Sequence, residues 1–337
     1  MKKMFWISAL VAIVMFFVGC SQDSGDTTNN YYSNDSASTS DSSNDSNSGD
    51  MTAEQINALL RGPLSATQNA TVLKPSLTAP SSSMTVYTVF ESSDTKMWLD
   101  GTTIYYYAAG YTDSGKGIPL PAYIGYLLAD CTKLETIDMT GFDTSRVTNM
   151  QNLFKNCKAC KSLDVSNWDT SKVTLMWWMF EHMESLESLN LRSFNTSIVT
   201  DMSGMFCHCE KLTSLDVSHF DTSSVKKTGA MFDSCQSLTS IDLSSWDTIS
   251  LESVIEVGSD YQIGMFESCY KLETITVKAG TDWSAFTDEA NKMFRYSSSL
   301  KGENGTTYSE EHSGAEYARV DGGTSAPGYF TANKTKP

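Results

Sequence analysis

The chain has 337 residues and a formal net charge of -16, with a sequence pI near 4.6. An acidic, solvated surface of this kind rules against nucleic acid, whose phosphates need Lys and Arg, and against adsorption to anionic lipid through basic patches. The length suits two ordinary domains, but internal repeats make that count a poor guide.

Residues 1–19 read as a lipoprotein signal peptide. Lys2 and Lys3 give the positive start, and Phe5 to Val18 form an apolar run too short for a comfortable transmembrane helix. The run ends Phe17-Val18-Gly19-Cys20, which resembles a bacterial lipobox with Phe17 in place of the usual Leu. Cys20 is therefore the expected lipidation site, and acyl chains anchor a protein without spanning the bilayer. Residues 20–50 comprise that Cys and a linker almost wholly of Ser, Asn, Asp, Thr and Gly, without Lys or Arg. Such a stretch cannot bury enough surface to order itself. As a flexible coil it holds the folded part roughly 30 Å from the membrane.

Residues 51–125 are expected to form an N-terminal helix, a loose segment and a β cap. Thr52-Ala53-Glu54-Gln55 reads as a capping box, with a short helix running to Leu60 and stopping at Gly62-Pro63. The Ser-, Thr-, Ala- and Pro-rich stretch 64–83 reads as extended or loose. Val86 to Phe90 alternates, and Asp100-Gly101 between Lys96–Leu99 and Thr102–Tyr107 signals a hairpin.

Residues 126–300 repeat. Phe142, Trp168, Phe194, Phe220 and Trp246 follow one another at intervals of 26, and a fixed period of this size implies units that stack and share one core. Each unit opens with an L-x-x-L-x-L-like run, Leu134/Ile137/Met139 in the first, which predicts a short strand with one face inward. Val147, Met150, Leu153, Phe154 and Cys157 then form an apolar stripe at helical spacing, behind Asp143-Thr144-Ser145 as a natural N-cap. The spacing predicts a strand, a turn and one short helix per unit. The fold class expected is thus α/β, a leucine-rich-repeat-like solenoid of 26-residue strand–helix repeats. A small N-terminal β-rich region caps one end, and a strand-and-turn cap with a tail at 301–337 caps the other. The fifth unit carries eight extra residues around Val257 to Asp260, read as a surface loop.

The unit C-x-x-L-x-x-I-D-φ-S-x-F-D-T-S-x-V-T-x-M-x-x-M-F resembles the BspA-like leucine-rich repeat surface lipoproteins of bacteria. TTIYYYAAGYTDSGKGIPL at 102–120, ARVDGGTSAPGYFT at 318–331 and the lipobox add to the resemblance, which covers roughly residues 95–331. It implies a cell-surface protein that binds host or neighbouring-cell macromolecules, often extracellular matrix, and it brings no catalytic residues. Phe142, Trp168 and their equivalents stand where ordinary leucine-rich repeats place Asn or Cys.

Two columns of acids arise from the period. Asp143, Asp169, Asn195, Asp221 and Asp247 sit in the turn and are expected to bond backbone N–H groups. Asp138, Asp164, Asn190, Asp216 and Asp242, with Ser162, Ser188, Ser214 and Ser240 beside them, form an acidic hydroxylated strip on the exposed strand row. This strip is the candidate binding face, for a basic patch or Ca²⁺ if it is more than a solvated surface. Trp177 and Trp178 have no counterpart in other units and are the candidate exposed aromatics. Cys131, Cys157, Cys209, Cys235 and Cys269 share a column in which Met183 fills the remaining slot, which fits buried free thiols. His182 and His208, with Cys207 and Cys209 nearby, have zinc-ligand chemistry, but their column continues as Asn156 and Ser234 and reads as polar side chains facing water. No metal, cofactor or catalytic residue is therefore expected.

The expectation is a lipid-anchored protein of the cell surface or outer membrane. It acts as a repeat-based adhesion module for extracellular proteins of a host or neighbouring cell, touches the membrane only through its N-terminal lipid, and is not an enzyme. The alternatives are a structural or antigenic coat protein without a defined ligand and, more distantly, a carbohydrate-active enzyme.

Overall fold

A computed structural model describes residues 51–334, apart from 63–69, 91–92, 112–116, 258–261, 285 and 287–291. The signal peptide, the expected lipidation site Cys20, the linker and the tip of the fifth-unit insertion lie outside the described residues.

Helix α1 (Ala53–Arg61) starts where the capping box predicts. The Thr52 hydroxyl accepts from the Gln55 N–H, and the Gln55 side chain accepts from the Thr52 N–H. Its inner face buries Ile56, Leu59 and Leu60. Asn57 Nδ2 donates to the carbonyls of Ala129 (2.7 Å) and Leu127 (3.3 Å), so the helix seals open backbone acceptors of the first coil.

Strands β1 (Val72–Pro75), β2 (Val86–Phe90), β3 (Thr95–Asp100), β4 (Thr103–Tyr107), β6 (Thr136–Asp138) and β8 (Ser162–Asp164) form one sheet in the order β2-β3-β4-β1-β6-β8. The β3–β4 hairpin turns at Asp100-Gly101, where Gly101 takes a φ of +59°. Strand β1 arises within the segment read as loose. It lies parallel to both β4 and β6 and joins the cap to the repeat row. The short strands β5 (Ile118–Pro119) and β7 (Phe142–Asp143) pair beside this sheet.

From Tyr123 to Ser253 the coils stack at a constant shift. Parallel bridges link Tyr123, Asn149, Leu175, Asp201, Lys227 and Ser253 in turn. The helix expected in every unit is absent: α1 is the single α-helix among the described residues. An α-helix needs each N–H to return to the carbonyl four residues back. Here the N–H groups of Met150, Asn152, Phe154 and Asn156 instead cross to Leu175, Trp177, Met179 and Glu181 of the next coil. Those of Leu153, Lys155 and Cys157 turn back only three residues. Asn152 and Asn156 take φ values of 55° and 60°, as do Trp178 and His182 (both 55°), Gly204 and His208 (60° and 56°), and Ala230 and Ser234 (53° and 58°). A left-handed residue at every fourth position breaks any right-handed helix. The stripe is therefore a run of tight turns, and the expected α/β leucine-rich-repeat-like solenoid of strand–helix units is overturned.

The strand row is present at both ends. Strands β9 (Ser240–Leu243), β12 (Thr274–Lys278) and β13 (Phe330–Asn333) run parallel in the order β13-β12-β9. The fifth-unit insertion is a hairpin of β10 (Ile255–Val257) and β11 (Gln262–Gly264). Inside the stack, Phe154, Phe180, Phe206, Phe232, Phe266 and Phe294 lie face over face, with centroids 5.4 to 5.9 Å apart and planes within 10°. Burial of each such ring contributes about 1.5–3 kcal/mol. Tyr329 and Phe330 end the stack by meeting Phe294 edge-on, at 83° and 80°. The thiols of Cys157, Cys209, Cys235 and Cys269 are buried and free, and each donates to a carbonyl of the preceding coil.

Candidate functional site

The strand row alternates as its sequence dictates. Leu163, Val165, Leu191, Leu215, Val217, Ile241 and Leu243 point inward, while Ser162, Asp164, Ser188, Asn190, Ser214, Asp216 and Ser240 are exposed, with Asp138 and Asp242 half-buried. Each acid or amide of the row has a local task. Oδ1 of Asp138, Asp164, Asn190, Asp216 and Asp242 accepts the N–H two residues on. The turn column repeats the device in Asp143, Asp169, Asn195, Asp221 and Asp247. Both columns are thus built of Asx turns. Ser218 and Ser223, through hydroxyl and N–H, hold the Asp216 and Asp221 carboxyls below the usual range.

The row is not continuous. Residues 188–190 and 214–216 form no ladder with their neighbours, although β6–β8 lie before them and β9–β12 after them. An open surface recess of about 340 Å³ lies here, lined by Ser188, Leu189, Asn190, Leu191, Arg192, Ser214 and Asp216, just past the Thr213 N–H that donates to the Glu187 carbonyl of the preceding coil at 3.3 Å. Four members of the candidate face line this recess, and Arg192 Nε approaches Asp216 Oδ2 at 4.0 Å across it.

The structure separates the two candidate exposed aromatics. Trp178 is buried, with only 4% of its surface exposed, and Trp177 is half-buried with its Nε1 donating to Gln151 Oε1 at 2.9 Å. The turn geometry explains this. A left-handed φ at Trp178 folds its indole over Gly204 of the next coil, where no Cβ stands.

A second polar group lies within the stack. Lys155, Glu181, Cys207, Asp233, Glu267 and Arg295 occupy one position in six successive coils. The register is fixed by the N–H groups of Asn156, His182, His208, Ser234 and Ser268, each donating to the next member's carbonyl at 2.7 to 2.9 Å. Glu181 and Cys207 are fully buried, and Asp233 and Glu267 are 5% exposed. Burial pushes the Glu181 carboxyl up against the opposing pull of Lys155, and burial with Glu267 nearby pushes Asp233 up to about 7. Burial, then the His208 ring, pushes His182 down to about 3. Cys207 Sγ, a ring nitrogen of His208 and an Asp233 oxygen lie within 4.8 Å of one another. The sequence already sets Cys207 beside His208; what the histidine column leaves out is Asp233, which belongs to the adjacent column. The signal was the 26-residue step from Cys207 to Asp233.

No helix among the described residues is long and apolar enough to cross a membrane. A family model described as "Mycoplasma protein of unknown function, DUF285" matches residues 124–215 and 179–306, together more than half of the chain. No curated protein matches. A crystal structure of a T. pallidum leucine-rich repeat protein is 17% identical over 59% of this chain and 84% of that one, with a TM-score of 0.29, too low for the likeness to carry any argument.

Proposed function

We propose a binding role for this chain, which belongs to the family described as Mycoplasma protein of unknown function, DUF285. In this reading it is a lipoprotein of the cell surface or outer membrane, anchored through Cys20, that engages extracellular proteins of a host or neighbouring cell and performs no catalysis. The observation that carries the reading is the interrupted ladder between 188–190 and 214–216. Main chain that lies in the strand row but outside any ladder offers donors and acceptors to an added extended segment, and the side chains along it set that segment's identity. Ser188, Ser214, Asn190 and Asp216 supply hydroxyl, amide and carboxylate groups at the recess. The chain's charge of -16 favours a basic segment and speeds its approach. The finer resemblance to BspA-like surface proteins, in residues 102–120 and 318–331, supports the location.

Surface plasmon resonance against a panel of extracellular-matrix proteins tests the binding. At least one partner is expected, with affinity lowered about tenfold or more by an Asn190→Lys/Ser214→Lys double variant whose melting temperature is unchanged. Binding to none, or binding that ignores the variant, favours a coat protein without a defined ligand. Metabolic labelling with a palmitate analogue is expected to mark the wild type and not Cys20→Ala.

A further inference from the structure

The buried row from Lys155 to Arg295 has ions at its ends and ligand atoms at its centre. Lys155 Nζ approaches Glu181 Oε2 at 2.8 Å, and Arg295 Nε donates to Glu267 Oε1 at 2.8 Å. Between these pairs, Cys207 Sγ lies 3.5 Å from Asp233 Oδ2, and His208 Nε2 lies 3.8 Å from the same oxygen. The thiols of Cys157, Cys209, Cys235 and Cys269 turn to backbone carbonyls, whereas Cys207 aims at a carboxylate. Glu181 is fully buried one coil away, and its Oε1 has no hydrogen-bond donor; His182 Nε2 is 3.9 Å from it. The His182 ring stacks on His208 with centroids 4.3 Å apart, which holds the His208 imidazole in place.

We propose that Cys207, His208 and Asp233 form a binding site for one borderline divalent cation of the zinc class. The proposal does not rest on the binding role above. Thiolate, imidazole and carboxylate together are a zinc-type donor set, and hard cations such as Ca²⁺ and Mg²⁺ choose oxygen alone. Zinc–sulfur bonds of about 2.3 Å and zinc–oxygen bonds of about 2.0 Å in tetrahedral array set the two donors about 3.5 Å apart. That is the Cys207–Asp233 separation. Entry is through His208, whose side chain is 30% exposed.

The full chain under reducing conditions is loaded with Zn²⁺, gel-filtered, and its metal content measured by mass spectrometry. Co²⁺ is then substituted to reveal a thiolate-to-cobalt charge-transfer band in the near ultraviolet. One equivalent of zinc and the band are expected. Cys207→Ser is expected to abolish the band, and His208→Ser to weaken zinc affinity at least about tenfold. Cys235→Ser serves as control and is expected to change neither. His208→Ser keeps the test decisive should Cys207→Ser misfold, since Ser234 and Ser268 already hold the same left-handed position, each at a φ of 58°. Absence of retained metal overturns the site. So does retention with the same affinity in both Cys207→Ser and His208→Ser, which marks adventitious binding elsewhere.

Discussion

The indole of Trp178 occupies the space in which a Cβ on Gly204 would stand, its Cδ2, Cε3 and Cζ3 atoms being the nearest neighbours of that point. The two residues hold the same position in adjacent coils, and both are left-handed. Asn152 precedes them in the column and Ala230 comes after, so a large ring, an absent side chain and a methyl succeed one another. The bulk of one coil is accommodated by the emptiness of the next.

Gly204→Ala is therefore expected to destabilise the chain by about 3 kcal/mol or more, through backbone strain of about 1–2 kcal/mol and displacement of the indole. Chemical denaturation measures this. Trp178→Asn, which copies the residue at 152, is expected to relieve most of the added cost when combined with Gly204→Ala. Strictly additive effects in the double-mutant cycle contradict the contact.

The Asx turns carry a pH signature. The Ser223 hydroxyl and N–H hold the Asp221 carboxyl below its ordinary value, which is about 3.9 in an unfolded chain. A depressed carboxyl stabilises the fold fully above the unfolded value, and the contribution is lost as pH falls through the folded one. Asp221→Ala is expected to lose under about 1 kcal/mol at pH 7, since the group is exposed, and its deficit against wild type shrinks from pH 5 to pH 2. Asp221→Asn, the residue already used at 195, keeps the acceptor. Its stability is expected to stay close to wild type at pH 7. Urea denaturation at several pH values checks both, and a deficit for Asp221→Ala that is constant with pH contradicts the cause given.

Much of this architecture is legible in particular residues. The alternation of Leu163 and Val165 with Asp164 gives β8, and Thr52 with Gln55 gives the start of α1. The turn column reads as an acceptor of backbone N–H groups, which is its role. The apolar stripe misleads because consecutive tight turns bring Met150, Leu153, Phe154 and Cys157 to one side at the same three- and four-residue spacing as a helix. The distinguishing sign was the pair of columns holding Asn152, Gly204, Asn156, His208 and Ser234, residue types that tolerate a positive φ. Strand β1 was hidden for another reason. It pairs with β6, more than sixty positions later, through a register that local pattern does not carry. The Cys207–Asp233 approach and the burial of Trp178 depend likewise on neighbours one coil away.

The threonines of the repeated Asp-Thr-Ser turn show how side chains extend the backbone ladder. Thr170 is buried at 0% exposure. Its hydroxyl accepts the N–H of Asn195 at 2.7 Å and donates to the carbonyl of the same residue at 2.8 Å. Thr144, Thr196 and Thr222 donate in the same way to Asp169, Asp221 and Asp247 of the following coils. One hydroxyl thus stands in for a strand residue, joining two coils where no main-chain bridge forms. Thr170→Val preserves shape and removes both bonds to Asn195, whose N–H and carbonyl are only partly shielded from water, at a cost of about 1 kcal/mol each. The expected loss is on the order of 2 kcal/mol. Thr170→Ser retains the hydroxyl and is expected to lose under about 1 kcal/mol, for the methyl alone. Equal losses in the two variants, measured by denaturant midpoint, contradict the ladder role and leave packing of the methyl as the cause.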